Sequence, residues 1–203
     1  MCVKQNFDEC YSQIFGLSWY PWVGTNYNLH GTMIMGESLY DDNHEWIDGN
    51  HDAVRILVES RISGKHSHLF SKTEQVFYNK QLVLPEESAK MWNSVIYWNL
   101  VQRLLASRND RLTLEEKTDG WRIFFEISDI LKPSKCIVLG QHHGQLGNYL
   151  NNCQNSWQYN KAEFYTENKI VNLSRNKESL RIIFINHPSG SHGFQWEKWG
   201  KLV

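Results

Sequence analysis

The sequence predicts an α/β fold of three layers (α/β/α), in which helices cover both faces of a central, mostly parallel sheet. The clearest observation is residues 182–185, four consecutive β-branched or aromatic apolar residues. Because polar residues do not alternate with them, these residues predict an inner strand that is covered on both faces. Residues 32–36 and 136–139 are two similar apolar runs. Helical periodicity in the segments between these runs favours parallel strands.

The chain is expected to form a single domain over residues 1–203. Its 203 residues, 41% of them hydrophobic, suffice for one well-buried core and are too few for two comfortable ones. No apolar run reaches the roughly 18 residues that a membrane helix needs, and residues 1–15 carry charges where a signal peptide is apolar. The four cysteines show no CxxC spacing, which favours a reduced setting. We expect a cytoplasmic monomer that makes no membrane contact.

The first half of the chain is expected to contain four helices. Apolar residues at helical spacing predict three of them, over residues 3–15, 48–62 and 70–78. The fourth is expected to begin at Pro85, because proline fits the first turn of a helix. Residues 16–31 are rich in Trp, Tyr, Gly and Asn and predict a loop. Its aromatic side chains would pack on the wall of a cleft or stack on a base.

The second half of the chain is harder to divide into elements. Residues 95–101 fit either a strand or the continuation of a helix, because periodicity does not separate the two for a short apolar run. Residues 105–118 are expected to form an exposed connection, and residues 119–131 a helix that Pro133 stops. A β-hairpin is predicted over residues 162–173.

The charges are distributed unevenly, although the net charge is only −1. Residues 1–60 contain two basic and nine acidic residues, a balance of −7, which leaves +6 for residues 61–203. Contacts with nucleic-acid phosphates would therefore come from the later part of the chain. An ordinary scatter of solvated side chains explains the asymmetry equally well.

Two motifs stand where predicted strands end. The early motif, Gly-Glu-Ser-Leu-Tyr at residues 36–40, is preceded by Pro-Trp-Val-Gly at residues 21–24, and the late motif, His-Pro-Ser, occupies residues 187–189. Together with the strand that ends at Gly140, these motifs resemble the uracil-DNA glycosylase superfamily over roughly residues 20–199. The late motif matches the superfamily well, and the early motif matches it in part. In open α/β sheets, ligands bind beyond the carboxyl ends of the strands.

The resemblance implies a uracil-DNA-glycosylase-like fold and a monofunctional DNA glycosylase. Such an enzyme flips a base out of DNA, hydrolyses its N-glycosidic bond and leaves an abasic site. The resemblance favours a strand over residues 95–101, because the superfamily places a base-reading asparagine near the end of this strand, where Asn99 stands. By position, His187 matches the histidine that contacts the flipped base and assists its departure. Tyr40 matches the tyrosine beside the 5-position of a pyrimidine.

The resemblance also implies that the loop of the late motif contacts DNA. Ser189, Gly190 and Ser191 match the loop that pinches the backbone phosphate and enters the duplex. Because these residues include no bulky side chain, His192 or Phe194 is expected to act as the wedge.

The early motif departs from the pattern of the uracil-excising members. Members with this tyrosine place the water-activating aspartate two residues after the glycine, a position that Ser38 holds here. Glu37 occupies the place that other members use for a glutamate and is the first candidate for the catalytic carboxylate. Asp41 is the second candidate, and Ser38 is assigned to base binding. The rebuilt loop predicts a base other than uracil, such as a damaged or enlarged pyrimidine.

Each of the main candidates also has a purely structural interpretation. His187 could be a strand-end histidine that the backbone satisfies, and Glu37 could be a solvated or helix-capping carboxylate. Asn99 could be a strand amide that is hydrogen-bonded inside the core.

Other functions also remain open on these residues. The same fold could serve as a DNA-binding module without catalysis, or as a hydrolase of a small nucleotide-like ligand. The histidines lack the spacing of a zinc site, and the cysteines lack that of an iron–sulfur cluster, so neither a metal nor another cofactor is expected. DNA is the expected partner, in repair or in defence against foreign DNA.

Overall fold

The structure, a computed structural model, describes residues 7–40, 49–107, 110–140, 143–152, 156–159, 170–189 and 194–203. Within these ranges the chain forms seven strands and seven helices. The strands are β1 Trp22–Val23, β2 Thr32–Gly36, β3 Ile96–Asn99, β4 Lys135–Leu139, β5 Gln158–Tyr159, β6 Ile170–Arg175 and β7 Glu178–Ile185. The helices are α1 Asp8–Tyr11, α2 Ala53–Ile62, α3 His68–Tyr78, α4 Pro85–Trp92, α5 Leu114–Leu131, α6 His143–Asn152 and α7 Trp196–Gly200.

One sheet contains all seven strands, in the order β1-β3-β2-β4-β7-β6-β5. The four central strands, β3, β2, β4 and β7, pair in parallel. At the margins, β1 pairs with β3, β6 with β7 and β5 with β6, all antiparallel. The chain passes β2 on its way from β3 to β4, so the strand order reverses beside β2. Such a reversal opens a crevice at the carboxyl ends of the strands.

Helices pack on both faces of this sheet. Along β2, Met33 and Met35 belong to the core cluster that includes α5 and α6, whereas Ile34 belongs to the cluster that includes α2, α3 and α4. All three side chains are fully buried. Because successive side chains of a strand point to opposite faces, apolar residues on both faces require cover on both. The prediction of an α/β sheet between helical layers is thus confirmed, and none of the described helices is long and apolar enough to cross a membrane.

The predictions for the strands are confirmed more closely than those for the helices. The runs at residues 32–36 and 95–101 contain β2 and β3, the run at 136–139 lies within β4, and the run at 182–185 forms the end of β7. Because β7 lies between β4 and β6, it is an inner strand, as predicted. Helices α2, α3 and α4 are confirmed, and α2 begins at Ala53, the first apolar residue of its pattern, later than the predicted start at residue 48.

Helix α5 begins at Leu114 and not at Asp119, so the predicted exposed connection is wrong over its last part. The cause is a capping box. The Oγ1 atom of Thr113 accepts a hydrogen bond from the amide of Glu116 at 3.1 Å, and the Glu116 carboxylate accepts one from the amide of Thr113 at 2.7 Å. These two bonds satisfy N–H groups that the first turn of a helix leaves without partners.

The aromatic loop at residues 16–31 is shorter than predicted, because β1 lies within it. Trp19, Trp22 and Tyr27 are buried in the core. The indole N–H of Trp22 donates a hydrogen bond to the carbonyl of Trp92 at 2.7 Å. Of the two roles considered for these aromatic residues, base stacking is therefore excluded for Trp19, Trp22 and Tyr27.

Two other predicted elements are only partly described. The helix expected over residues 3–15 is reduced to α1, and residues 1–6 lie outside the described residues. The hairpin expected over residues 162–173 also lies mostly outside them, and its last four residues belong to β6. The hairpin partner of β6 is β7, and Asn176, with φ of 53°, occupies the left-handed region in the turn between them.

A buried carboxylate joins three helices on one face of the sheet. Glu74 of α3 is 1% exposed and accepts two hydrogen bonds from the guanidinium of Arg61 in α2, at 2.8 and 2.6 Å. It also accepts hydrogen bonds from Ser88 Oγ at 2.7 Å and Trp92 Nε1 at 2.8 Å, both in α4. Because a buried charge is tolerated only when it is paired and hydrogen-bonded, these contacts hold α2, α3 and α4 in register.

Candidate active site at the carboxyl edge of the sheet

The ends of the four central strands bring the two sequence motifs to one edge. Gly36 at the end of β2 pairs with Asn99 at the end of β3, and Leu139 at the end of β4 pairs with Ile185 at the end of β7. Glu37 directly follows β2, and the late motif follows β7 after one residue. Parallel strands end at a common edge, so residues that are far apart in sequence meet there.

Glu37 and His187 are close enough for the carboxylate to act on the imidazole. Burial lowers the pKa of His187 below its ordinary value of 6.5, and the negative charge of Glu37 opposes this shift. The Nδ1 atom of His187 lies 3.0 Å from the Oγ of Ser189, a hydrogen bond that orients the ring. Because the pKa is lowered, His187 is neutral at pH 7 and can donate a hydrogen bond without carrying a charge.

Replacing Glu37 with glutamine should lower the pKa of His187 still further, because the neutral amide removes the charge that favours imidazolium. An NMR titration of the His187 ring in both proteins measures this shift. Glu86→Gln, which neutralises an exposed carboxylate in α4, is the matched control and should leave the pKa unchanged. An identical His187 pKa in wild type and Glu37→Gln would mean that the two side chains do not share a cleft.

Backbone hydrogen bonds attach the Glu37 loop to the segment that follows Asn99. The amide of Leu100 donates to the carbonyl of Gly36 at 3.0 Å, and the amide of Val101 donates to that of Glu37 at 2.9 Å. Further along, Leu105 donates to the carbonyl of Leu39 at 2.8 Å. The parallel pairing of β2 and β3 thus continues beyond the strands and fixes the backbone of Glu37 relative to β3.

Ser38 and Arg103 make this attachment tighter. The hydroxyl of Ser38 donates a hydrogen bond to the carbonyl of Arg103, and the Arg103 guanidinium forms ion pairs with Asp110 and Glu116. Since Glu116 lies in α5, Arg103 connects the Glu37 loop to that helix. Base binding by Ser38 remains a prediction, and its observed contact is with this loop. The sequence analysis did not identify Arg103 as part of the site, because no sequence motif indicates which backbone carbonyl a distant serine will contact.

Asn99 is completely buried beside Gly36. Its Oδ1 accepts a hydrogen bond from the hydroxyl of Tyr97 at 3.3 Å. A Cβ atom on Gly36 would lie 2.2 Å from that same oxygen, so the space above Gly36 is filled by the Asn99 amide. Tyr97 was not among the predicted site residues, although its position two residues before Asn99 places both side chains on one face of β3.

The end of β4 lies between the two candidate catalytic residues and carries a glycine. Gly140 has φ of 138°, a conformation that residues with a side chain rarely adopt. Its amide donates a hydrogen bond to the carbonyl of Ile185 at 2.9 Å, which holds it against the end of β7. Strands β2 and β7 are separated by β4 and thus lie two interstrand spacings apart, roughly 10 Å. Gly140, at the end of β4, places no side chain between them.

The remaining predicted site residues are described unevenly. Tyr40 is half-buried and forms a parallel bridge with Leu105, which places it beside the Glu37 loop. Phe194 is half-buried and packs against the core cluster that includes α2, α3 and α4. Four predicted residues lie outside the described part of the chain: Asp41, Gly190, Ser191 and His192. Among the residues that are described, no three His, Cys, Asp or Glu side chains converge as metal ligands would.

Comparisons with known proteins do not extend these observations. No protein-family model matches the chain, and no curated protein matches it either. Any functional argument therefore depends on the strand-end geometry and on the chemistry of Glu37, Asn99 and His187.

Proposed function

We propose that this chain is a DNA glycosylase that hydrolyses the N-glycosidic bond of a flipped base, either uracil or a modified base, and leaves an abasic site. The observation that carries the proposal is that Glu37 and His187 follow the carboxyl ends of the parallel strands β2 and β7, where the charge of Glu37 acts on His187. A carboxylate and a neutral imidazole at the same edge of the sheet suit a reaction that develops positive charge on a sugar and negative charge on a leaving base.

In the proposed reaction, the bond between C1′ of the sugar and the base nitrogen breaks, and its electron pair leaves with the base. His187, neutral because of its lowered pKa, donates a hydrogen bond to a ring carbonyl and stabilises the departing anion. Glu37 stabilises the oxocarbenium-like sugar and accepts a proton from the water that attacks C1′. Asp41 is the second candidate for this carboxylate role.

The substrate must reach this cleft from a DNA strand. An enzyme that acts on a base extrudes the nucleotide from the stack, and the loop of Ser189 together with Phe194 is proposed to contact the DNA around it. The +6 balance of residues 61–203 favours phosphate contacts from this part of the chain. One chain supplies all the proposed groups, so a monomer suffices. The free thiols of Cys10 and Cys136 suit a cytoplasmic enzyme acting on cellular or foreign DNA.

An abasic-site assay on oligonucleotides with uracil, mispaired, alkylated and enlarged pyrimidines tests the proposal. At least one base should be excised, and Glu37→Gln and His187→Ala should each slow excision about 10²–10⁴-fold. Glu86→Gln is the control for Glu37→Gln, because it neutralises an exposed carboxylate in α4 that is not among the charges acting on His187, and it should retain full activity.

Two results would replace the proposal with another function. Binding of DNA without excision of any base, unchanged by Glu37→Gln, would identify a DNA-binding module. Free nucleosides that are hydrolysed as fast as the same bases in DNA would identify a hydrolase of small ligands.

A further inference from the structure

One face of the sheet is uncovered near its amino edge. In β7, Ile182 is buried in the core cluster that includes α5 and α6, and Ile183 is buried in the cluster that includes α2, α3 and α4. Arg181 lies on the same face as Ile183, because side chains two residues apart in a strand point the same way, and yet it is exposed. The helices on this face thus cover the end of β7 and leave Ser179 and Arg181, nearer its start, in contact with solvent.

Cross-strand pairing extends this uncovered area over four strands, in two rows. Residues that pair across neighbouring strands place their side chains on the same face of the sheet. The first row crosses β5, β6 and β7, and the second row crosses β6, β7 and β4. The open face consists of the six side chains in these rows: Gln158, Ser174 and Ser179 in the first, and Asn172, Arg181 and Lys135 in the second. Five of them are exposed, and Lys135 is half-buried.

The open face offers hydrogen-bond donors to a ligand. Its side chains are a guanidinium, an ammonium, two carboxamides and two hydroxyls, all of which can donate. Lys135 uses one of its donors, because its Nζ donates to the carbonyl of Val203 at 2.7 Å. Within the described part of the chain, the five exposed side chains make no hydrogen bond or ion pair. Their donors are therefore available to a partner from outside.

The charge of the open face is positive. The only Asp or Glu in the strands β4 to β7, as far as the structure describes them, is Glu178. It forms ion pairs with Lys132 at 2.8 Å and Arg175 at 2.7 Å, and strand alternation directs it away from the face of Arg181. Burial and the positive charge of Arg181 lower the pKa of Lys135. Two cations thus repel each other on this face, and no carboxylate of these strands lies beside them.

We infer that the open face binds the phosphate backbone of DNA, at a site separate from the cleft. In protein–DNA complexes, phosphate and sugar oxygens are contacted by Arg and Lys together with Ser, Asn and Gln, and these contacts carry no sequence information. The open face contains these residue types and no acid. It spans three interstrand spacings, about 14 Å, which is wider than one phosphate ion and suits a chain of them.

This site goes beyond the proposed function, because it requires no base to be flipped or excised. Arg181 lies four residues before the end of β7, so the open face is about 13 Å along the strand from the carboxyl edge. DNA contacts at this distance add sequence-independent affinity. They would keep a strand on the protein while the cleft holds no base.

The probe for this site is a single-stranded oligomer of tetrahydrofuran abasic units, which has the DNA backbone and carries no base. Its affinity is measured by fluorescence anisotropy over a series of salt concentrations. We expect the wild type to bind the oligomer, with the logarithm of the affinity falling linearly as the logarithm of the salt concentration rises, because phosphates that contact cations release counterions.

Arg181→Gln removes the exposed cation of the open face. The salt dependence should become shallower by about 0.7 in slope, the value for one phosphate contact of a single strand. At about 50 mM salt the affinity should fall about 5- to 10-fold. Lys90→Gln is the matched control, because it removes the same charge from an exposed position in α4, and it should leave the slope unchanged.

Asn172→Asp tests the same surface without removing a cation. The substitution is isosteric and places a carboxylate opposite Arg181, its cross-strand partner, so it should weaken binding about as much as Arg181→Gln does. Asn152→Asp, at an exposed position in α6, is the control and should bind as the wild type does. Both substitutions are at exposed positions, where changes in stability are small.

The outcomes separate this inference from the proposed function. Binding of the oligomer through Arg181 by a protein that excises no base would support the open face and overturn the glycosylase proposal. Excision of a base by a protein whose affinity for the oligomer is the same in Arg181→Gln and Lys90→Gln would do the reverse. Absence of binding to the oligomer would overturn the inference. So would polyglutamate that binds as tightly and responds equally to Arg181→Gln, because an acidic peptide would then be the occupant.

Discussion

Replacing Glu74 with alanine should lower the free energy of unfolding by about 3–5 kcal/mol, because it leaves a partly buried guanidinium and two buried donors without this acceptor. Glu74 is 1% exposed and binds Arg61 in α2 together with Ser88 and Trp92 in α4. Both the charge balance and the hydrogen bonds between three helices would be lost at once. Urea denaturation, followed by tryptophan fluorescence and by circular dichroism, measures the change.

A second substitution divides this loss into parts. Three of the four hydrogen bonds end on Oε1 of Glu74, so Glu74→Gln keeps an oxygen for them and loses only the bond to Oε2 and the charge. Glu74→Gln should therefore lower the free energy of unfolding, but by less than Glu74→Ala. Glu86→Ala, at an exposed position in α4, should change stability by less than about 0.5 kcal/mol. Equal losses in Glu74→Ala and Glu86→Ala would show that the network contributes little.

Gly36→Ala should have the largest effect on activity. The new methyl group would lie 2.2 Å from Oδ1 of Asn99 and 2.8 Å from the hydroxyl of Tyr97, so both side chains must move. Displacing a positioning group by about 1 Å can cost about a hundredfold in rate, and overpacking costs about 1–3 kcal/mol of stability. Single-turnover excision and urea denaturation measure the two quantities separately.

Gly24→Ala provides the matched control for this substitution. A Cβ atom on Gly24 would lie 2.3 Å from the backbone of Asn93, so the collision is as close as that at Gly36. Gly24 donates to the carbonyl of Val95, just before the start of β3, and is thus at the opposite edge of the sheet from Asn99. We expect Gly24→Ala to lose stability and to keep its activity per folded molecule. A similar loss of activity in both variants would remove the special role of Gly36.

The central sheet could be predicted from sequence because its inner strands are continuous apolar runs. Residues 182–185 are apolar on both faces, which only a strand between two neighbours requires. Strand β1 could not be predicted, because its two residues are too few to show a period of two. The start of α5 has a local signal, because Thr113 and Glu116 have the spacing of a capping box, although the polar residues before it are typical of a loop.

Part of the candidate site could also be predicted from the sequence, and part could not. Glu37 and His187 are predicted to meet because both follow parallel strands, and in the structure the charge of Glu37 acts on His187, opposing the lowering of its pKa by burial. The contact of Ser38 with the carbonyl of Arg103, 65 positions away in the chain, has no local signature. The enclosed oxygen of Asn99 was also beyond prediction, because it depends on the distance between two strands.

Gly140 restricts how a site of this kind can diverge. Its φ of 138° excludes most other residues, so a larger side chain at the end of β4 cannot be used to narrow the space between the segments after β2 and β7. Related chains with a different ligand preference would have to differ in the segments that follow β2 and β7, because the position between them carries no side chain. Because residue 140 is restricted to glycine, ligand selectivity at this edge has to come from the neighbouring segments.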